Sequence, residues 1–145
     1  MANAHPGMGA GKIKNKVKYM IREFEKLTKK ETELLLKAPV LVSVLAASHD
    51  NGISDKEKAD AIKLAHLKTF TADPLLIDYY KEVEKTFAQY FEETVKKYYP
   101  FDDSKREGLK EEISEVNTVI AKLDKEFATA LHRSLSRYAE HVRRS

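Results

Sequence analysis

The stretch that decides the fold is Val-Leu-Val-Ser-Val-Leu-Ala-Ala at residues 40–47, in which every residue except Ser43 is apolar. A helix that is apolar nearly all the way round has no face suited to water, so it belongs in the interior. We therefore expect these residues to form the buried central helix. Pro39 stands immediately before them, and proline is tolerated in the first turn of a helix but not deep inside one. The sequence thus predicts that a new helix begins at Val40, after a helix-forming segment at residues 28–37.

Amphipathic helices are indicated along most of the remaining chain, because apolar residues recur at intervals of three and four. Such stripes cover residues 13–27, 76–98 and 109–142, and the first of them has a basic opposite face. Residue types that cap helices precede three of the predicted helices, at Ser54, Asp73 and Ser104. These patterns predict an all-α fold, a compact bundle of about five to seven helices with a long C-terminal helix.

The C-terminal stripe predicts one continuous helix of about 35 residues, roughly 52 Å long, which exceeds the width of a domain of this size. Its apolar residues step by 4, 3, 4 and 3 from Leu109 to Leu123 and then by 4, 4 and 4 to Leu135, so the stripe drifts around the helix. One straight helix cannot keep both halves against the same neighbour. Either it kinks near residues 123–127 and packs within one subunit, which we favour, or its second half contacts another copy of the chain.

Length and composition indicate a single globular domain and exclude sites that depend on cysteine. With 145 residues, 42% hydrophobic and 34% charged, it fits one globular domain. We divide it into a disordered, glycine-rich lead-in at residues 1–11 and a single helical domain at residues 12–145. The chain has no cysteine, which excludes disulfides, thiolate metal sites and a cysteine nucleophile. It has neither a signal-peptide pattern nor an apolar run of the ~18 residues that a membrane span needs, so we expect a soluble protein of the cytoplasm.

Basic residues concentrate at the two ends of the chain. Residues 1–22 carry a net charge of +5 and residues 132–145 carry +3, which leaves −5 for the residues between them out of a total of +3. The basic N-terminal stripe has the character of helices that lie on anionic membranes or follow phosphates. Aromatic residues are sparse within it, so there is no strong nucleic-acid signal. The simplest interpretation is that these charges solvate helix faces.

The sequence patterns of common catalytic and metal sites are absent. Di-iron helical bundles use Glu-x-x-His pairs, but no acid stands three residues before any of the five histidines. His132 and His141 are nine residues apart, which places them on opposite faces of a straight helix and excludes a metal shared by that pair. His132 and Ser136 have the spacing of neighbours on one face, but chance pairs of this kind are common. We therefore expect no enzymatic activity.

The candidate functional segment is Asp-Asn-Gly-Ile-Ser-Asp-Lys-Glu at residues 50–57. Ser54 and Glu57 have the spacing of a capping box, which predicts that a helix begins here after a turn. The segment matches the second half of a calcium-binding EF-hand loop, whereas the preceding residues lack the ligands of its first half. The candidate ligands for a divalent cation, in a site completed by another helix, are Asp50, Asp55 and Glu57, with His49 beside them. The structural alternative is a turn, an N-cap and acids that stabilise a helix N-terminus.

The same segment resembles the TerB-like family of tellurite-resistance proteins. In that family an apolar helix that ends in small residues is followed by Ala-Asp-Gly-x-Ile-Ser-x-x-Glu and then by an amphipathic helix. The residues on matching positions here are Asp50, Ile53, Ser54 and Glu57. Asn51 replaces the glycine and His49 replaces the alanine, and asparagine can still adopt the turn. The resemblance extends over residues 13–142 in helical order, with its sharp motif confined to this segment.

The resemblance implies a small all-helical domain of the bacterial cytoplasm, associated with resistance to tellurite and other stresses. Members of the family are proposed to bind metal through acidic residues. Carried over by position, the implied ligands are Asp50 and Glu57, whereas Asp55 is a neighbour that we add from the residues themselves. Asp102-Asp103 is a second acidic pair that we add for its composition alone.

Three hypotheses about function follow. The leading one is a non-enzymatic TerB-like binding or stress-response module, with a divalent cation as its candidate cofactor and an unknown protein partner. The second is a structural or adaptor protein that dimerises through its C-terminal helix and binds no metal. The third is a hydrolase-like activity at an acidic metal site. The first and third need a cation and the second does not, and both monomer and homodimer remain open.

Overall fold

The computed structural model describes residues 21–48 and 52–145 of the chain. Five α-helices lie in these residues: α1 (Lys29–Ala47), α2 (Asp55–Thr71), α3 (Ile77–Tyr98), α4 (Asp103–Ile120) and α5 (Lys125–Arg143). Two short 3-10 helices, Arg22–Phe24 and Pro74–Leu76, precede α1 and α3. No strand occurs in the described ranges, and the prediction of a compact all-α bundle is confirmed. The predicted lead-in at residues 1–11 lies outside those ranges.

The central helix is α1, and it is buried as predicted. Helices α3, α4 and α5 all pack against it, while α2 packs mainly on α3. The fully buried aliphatic side chains of α1 are Leu35, Val40, Leu41 and Val44. The predicted helix start at Val40 is wrong, because α1 runs without interruption through Pro39. A capping box between Thr28 and Glu31 sets its actual start.

Tertiary and local contacts explain why α1 tolerates Pro39. Proline has no N–H, so the carbonyl group four residues earlier, that of Leu35, loses its usual helical partner. The hydroxyl group of Tyr79 on α3 donates to this carbonyl instead. The Ser43 hydroxyl also donates to the Pro39 carbonyl over 2.6 Å. The helix therefore continues because a neighbouring helix supplies the donor that proline lacks.

The predicted first helix, over residues 13–27, is only partly within the described residues. Its described end is a 3-10 helix, Arg22–Phe24, and not a continuous α-helix. Ile21, Phe24 and Leu27 are all buried, and their spacing of three matches the three residues per turn of a 3-10 helix. Because Ile21 has extended backbone geometry and Thr28 already caps α1, no α-helix occupies residues 21–28.

The long C-terminal helix of the prediction is two helices. Helix α4 ends at Ile120 and α5 begins at Lys125, with a turn and the non-helical residue Asp124 between them. The buried Leu123 lies in this turn, where the apolar stripe changes its step. Both α4 and α5 pack on α1 within the one chain, in opposite directions. A tight turn thus replaces the predicted kink and lets each half use its own stripe.

Aromatic rings fill the space between α3 and α5. The rings of Tyr80 and Tyr138 stack with their centroids 6.3 Å apart, and Phe87 lies 5.9 Å from Tyr138. Buried hydroxyl groups need hydrogen-bond partners, and the hydroxyl groups of Tyr80 and Tyr138 both have one. Tyr80 Oη lies 2.6 Å from Ser134 Oγ, and Tyr138 Oη donates to the Ala61 carbonyl over 2.6 Å. These bonds connect α3 to α5 and α5 to α2.

Candidate functional site

The predicted capping box at the start of α2 is present. Ser54 Oγ accepts a hydrogen bond of 3.0 Å from the Glu57 N–H, and Glu57 Oε1 accepts one of 2.8 Å from the Ser54 N–H. Ser54 has extended backbone geometry, and the helix begins at Asp55. Two of the backbone donors that a helix start leaves unpaired are therefore satisfied by side chains. The box also holds the Glu57 carboxylate in a defined orientation.

Two of the three predicted metal ligands, Asp55 and Glu57, lie within the described residues. Asp50 lies outside the described residues, together with His49. Asp55 is exposed in the first turn of α2, and Glu57 is half-buried in the capping box. Across the described ranges, no group of three or more His, Cys, Asp or Glu side chains is arranged to hold a metal ion. The cation site therefore stays a prediction that rests on Asp50 together with the two acids of α2.

The Arg106 side chain of α4 reaches the C-terminal end of α1, which precedes the candidate segment in the sequence. The Arg106 guanidinium donates from Nη1 to the Ser48 carbonyl over 2.6 Å. Ser48 caps the C-terminal end of α1, where free carbonyl groups carry partial negative charge. The sequence contains no signal for this contact, since its partners are 58 positions apart.

The second acidic pair, at Asp102 and Asp103, has a structural role in part. Asp102 is the N-cap of α4, and its Oδ1 accepts a hydrogen bond of 2.9 Å from the Lys105 N–H. Asp103 lies in the exposed first turn, where its charge favours the helix N-terminus. The cap predicted at Ser104 therefore falls two residues earlier. Asp102 therefore acts as a cap, and Asp103 has the position of an acid that stabilises a helix N-terminus.

A carboxylate with three partners in the described part of the chain belongs to Glu112 on α4, which the sequence reasoning missed. Glu112 Oε1 accepts from Tyr98 Oη over 2.6 Å and lies 3.4 Å from Lys97 Nζ, while Oε2 lies 3.2 Å from Lys37 Nζ. These contacts join α1, α3 and α4. Beside them lies a surface cavity of about 560 Å³ with mixed acidic and basic walls.

The Glu112 contacts alter the titration of the groups involved. Burial alone would raise the pKa of Glu112, but the Tyr98 hydroxyl and the lysine ammonium groups outweigh it and hold the pKa below its ordinary value. Burial and the adjacent carboxylate raise the pKa of Tyr98. Lys37 also lies over the ring of Tyr90. Burial and the nearby Glu33 carboxylate raise the pKa of Tyr90 to about 12. Such shifts occur at catalytic sites and also in structural ion-pair networks. Here both carboxylate oxygens are occupied, so the arrangement works as a clamp between helices.

The histidine and serine of α5 that the sequence places four residues apart are not hydrogen-bonded to each other. His132 and Ser136 line the same surface groove between α4 and α5, but no hydrogen bond joins them. His141, nine residues after His132 in α5, is exposed. A nucleophile needs its base within hydrogen-bond reach, so the geometry gives these residues no catalytic arrangement.

Comparison with protein-family models, with curated proteins and with solved structures found no match to this chain. No helix within the described ranges is long and apolar enough to cross a membrane. The resemblance to TerB-like proteins accordingly rests on the segment at residues 50–57 and on the order of the helices around it.

Proposed function

We propose that the chain is a non-enzymatic, TerB-like helical binding module of the bacterial cytoplasm that acts in stress response and takes a divalent cation at residues 50–57. The observation that carries this proposal is the capping box of Ser54 and Glu57. It occupies the Ile-Ser-x-x-Glu part of the family motif, directly after a buried apolar helix that ends in small residues. Both features are what the family pattern requires at these positions.

The chemistry of the segment suits a hard cation. Calcium and magnesium ions prefer oxygen ligands, and carboxylates are the strongest of these in proteins. The capping box uses Glu57 Oε1, so we assign Oε2 to the cation, with Asp50 and Asp55 as the further carboxylates. Because the box orients Glu57 before any ion arrives, binding does not have to order that side chain.

A thermal unfolding experiment tests the cation. An ion that binds only the folded state raises its melting temperature. After treatment with EDTA, the protein is unfolded with and without added Ca²⁺, Mg²⁺ or Mn²⁺. We expect a rise with at least one ion, and its loss in the double variant Asp50→Asn/Glu57→Gln. Glutamine also serves at the third position of a capping box, so the helix start is preserved while the charge is removed.

The matched control removes two acids from the first turns of other helices, Asp78→Asn in α3 and Glu126→Gln in α5. This control variant should keep the full rise. A rise that survives in Asp50→Asn/Glu57→Gln would move the site elsewhere in the chain. The absence of any rise in the wild-type protein would contradict the cation and also the hydrolase alternative, which needs the same ion.

The adaptor alternative, a dimer through the C-terminal helix without metal, has less support. The apolar stripe of α5 is buried within the single chain, and Leu131 and Tyr138 are fully covered. A dimer built on this stripe would first have to separate α5 from α1. The adaptor hypothesis requires twice the monomer mass in solution.

A further inference from the structure

A groove runs along the surface between α4 and α5. Both helices pack closely on α1, but they make only slight contact with each other. Two cavities of about 330 Å³ and 300 Å³ lie in the space between them, and both are lined by Val42 of α1 and Ala139 of α5. The two cavities therefore adjoin at Val42 and Ala139 and lie along one groove, with α1 as its floor.

Half-buried apolar side chains form the floor and part of the walls of the groove. The side chains that share this character are Val42, Leu45, Ala46, Ile113 and Ala139. Small residues at Ala46 and Ala139 leave the space that larger side chains would fill. Apolar surface that a fold leaves accessible in a concave site is a common feature of ligand pockets.

Charge is present at one end of the groove and has one sign. Arg106 and Lys110 at the start of α4 lie across from Arg143 at the end of α5, and among the described residues no acidic side chain lines either cavity. Within residues 21–48 and 52–145, the acidic partners of Lys110 and Arg143 are Glu107 and Glu140, each on the same helix as its partner. Exposed pairs of this kind are weak. The other end of the groove carries only uncharged residues and a histidine.

We propose that this groove binds an anionic amphiphile, a carboxylate with a single unbranched acyl chain. The carboxylate lies at the basic end between Lys110 and Arg143, and the acyl chain follows the apolar floor past Val42 and Ala139. An aliphatic chain with one charged end matches a groove that is basic at one end and apolar along its length. The proposal is independent of the cation at residues 50–57.

Other occupants fit these dimensions and charges less well. An α-helix with its side chains is about 10–12 Å across, which is wide for two joined cavities at the small end of the ligand-pocket range, about 300–1,000 Å³. The chain's own N-terminal segment carries Lys12, Lys14, Lys16 and Lys18. Its positive charge is repelled by the basic end of the groove.

Calorimetric titration with octanoate, decanoate and dodecanoate below their micelle concentrations tests the proposal. We expect saturable binding that tightens by roughly two- to fourfold for each added methylene group, because the acyl chain leaves water. Decanol, which has no charge, should bind more weakly than decanoate. Lys110→Gln/Arg143→Gln should weaken decanoate binding at least several-fold while decanol binding stays unchanged. The control Lys96→Gln/Lys125→Gln removes two exposed charges elsewhere and should bind decanoate normally.

A second variant fills the groove. Ala139→Leu should abolish binding of both decanoate and decanol, whereas Ala88→Leu on the exposed face of α3 should not, and circular dichroism confirms that both variants fold. The proposal is overturned if wild-type protein binds none of the carboxylates, or if Ala139→Leu binds decanoate as well as wild type. It is also overturned if only a synthetic acidic amphipathic helix binds at these residues, or if the charge variant binds decanoate normally.

Discussion

The hydroxyl group of Tyr79 donates a hydrogen bond of 2.6 Å to the backbone carbonyl of Leu35, across the buried interface between α3 and α1. Leu35 stands four residues before Pro39, so its carbonyl is the one that proline leaves without a helical donor. Tyr79 is fully buried. One side chain from another helix therefore allows the central helix to pass through a proline.

Replacing Tyr79 with phenylalanine should lower the free energy of unfolding by about 1–3 kcal/mol, because it leaves a buried carbonyl unpaired. Urea denaturation measures the change. Tyr99→Phe is the matched control, since Tyr99 is 61% exposed and its hydroxyl has no comparable role. A loss in Tyr79→Phe no larger than in Tyr99→Phe would contradict this account of Pro39.

A double-mutant cycle tests the same contact from the helix side. In Pro39→Ala the new N–H can donate to the Leu35 carbonyl, so the tyrosine hydroxyl becomes less necessary. We expect Tyr79→Phe to cost less in the Pro39→Ala background than in the wild-type chain. Equal costs in the two backgrounds would show that Tyr79 does not act on the group that proline leaves free.

Glu112→Gln should lower stability by about 1–3 kcal/mol near neutral pH, because it removes a charged acceptor shared by Tyr98, Lys37 and Lys97. The pKa of Glu112 is lowered in the folded state, so its contribution is present above the ordinary value of 4.5 and is lost as the pH falls below it. The difference between wild type and Glu112→Gln should therefore shrink on acidification. Urea denaturation at several pH values measures it. Glu111→Gln, on the exposed neighbour, should show neither effect.

Buried tyrosines make the fold sensitive to alkali. Burial raises the pKa of Tyr80 to about 12, despite the opposing effect of its hydrogen bond to Ser134, and raises the pKa of Tyr79 and Tyr138 as well. In the folded state the pKa of these tyrosines exceeds the ordinary value of 10.0. The stability that their neutral hydroxyl groups contribute is therefore complete below the ordinary value and is lost as the pH rises through the folded value. We expect tyrosinate absorbance and helical dichroism to change together at alkaline pH. In urea the same residues should ionise near the ordinary value, and identical titration curves in both conditions would contradict the prediction.

In solution the chain should be a monomer of 16.6 kDa by light scattering, because the α5 stripe is buried within the subunit. Leu131→Ala should lower stability by about 2–5 kcal/mol through the cavity it creates, with no change in mass. A species of twice the monomer mass that dissociates in Leu131→Ala without loss of helicity would favour the adaptor hypothesis.

The candidate cation segment was predictable in its local part only. The capping box follows from Ser54 and Glu57, two residues three positions apart whose side chains reach each other's backbone. The contact of Arg106 with Ser48 could not be read from the sequence, because 58 positions separate the two and nothing in either neighbourhood specifies the pairing.

The sequence by itself determined the helical class, the buried apolar helix at residues 40–47 and the box at Ser54, since each depends on atoms within one or two helical turns. Only the tertiary structure decided that α1 continues through Pro39, that the last stripe divides at a turn, and that α4 and α5 leave a groove between them. Those outcomes depend on partners far along the chain. Tyr79 lies 44 positions from Leu35 and Glu112 lies 75 from Lys37, and such contacts exist only once the helices have packed.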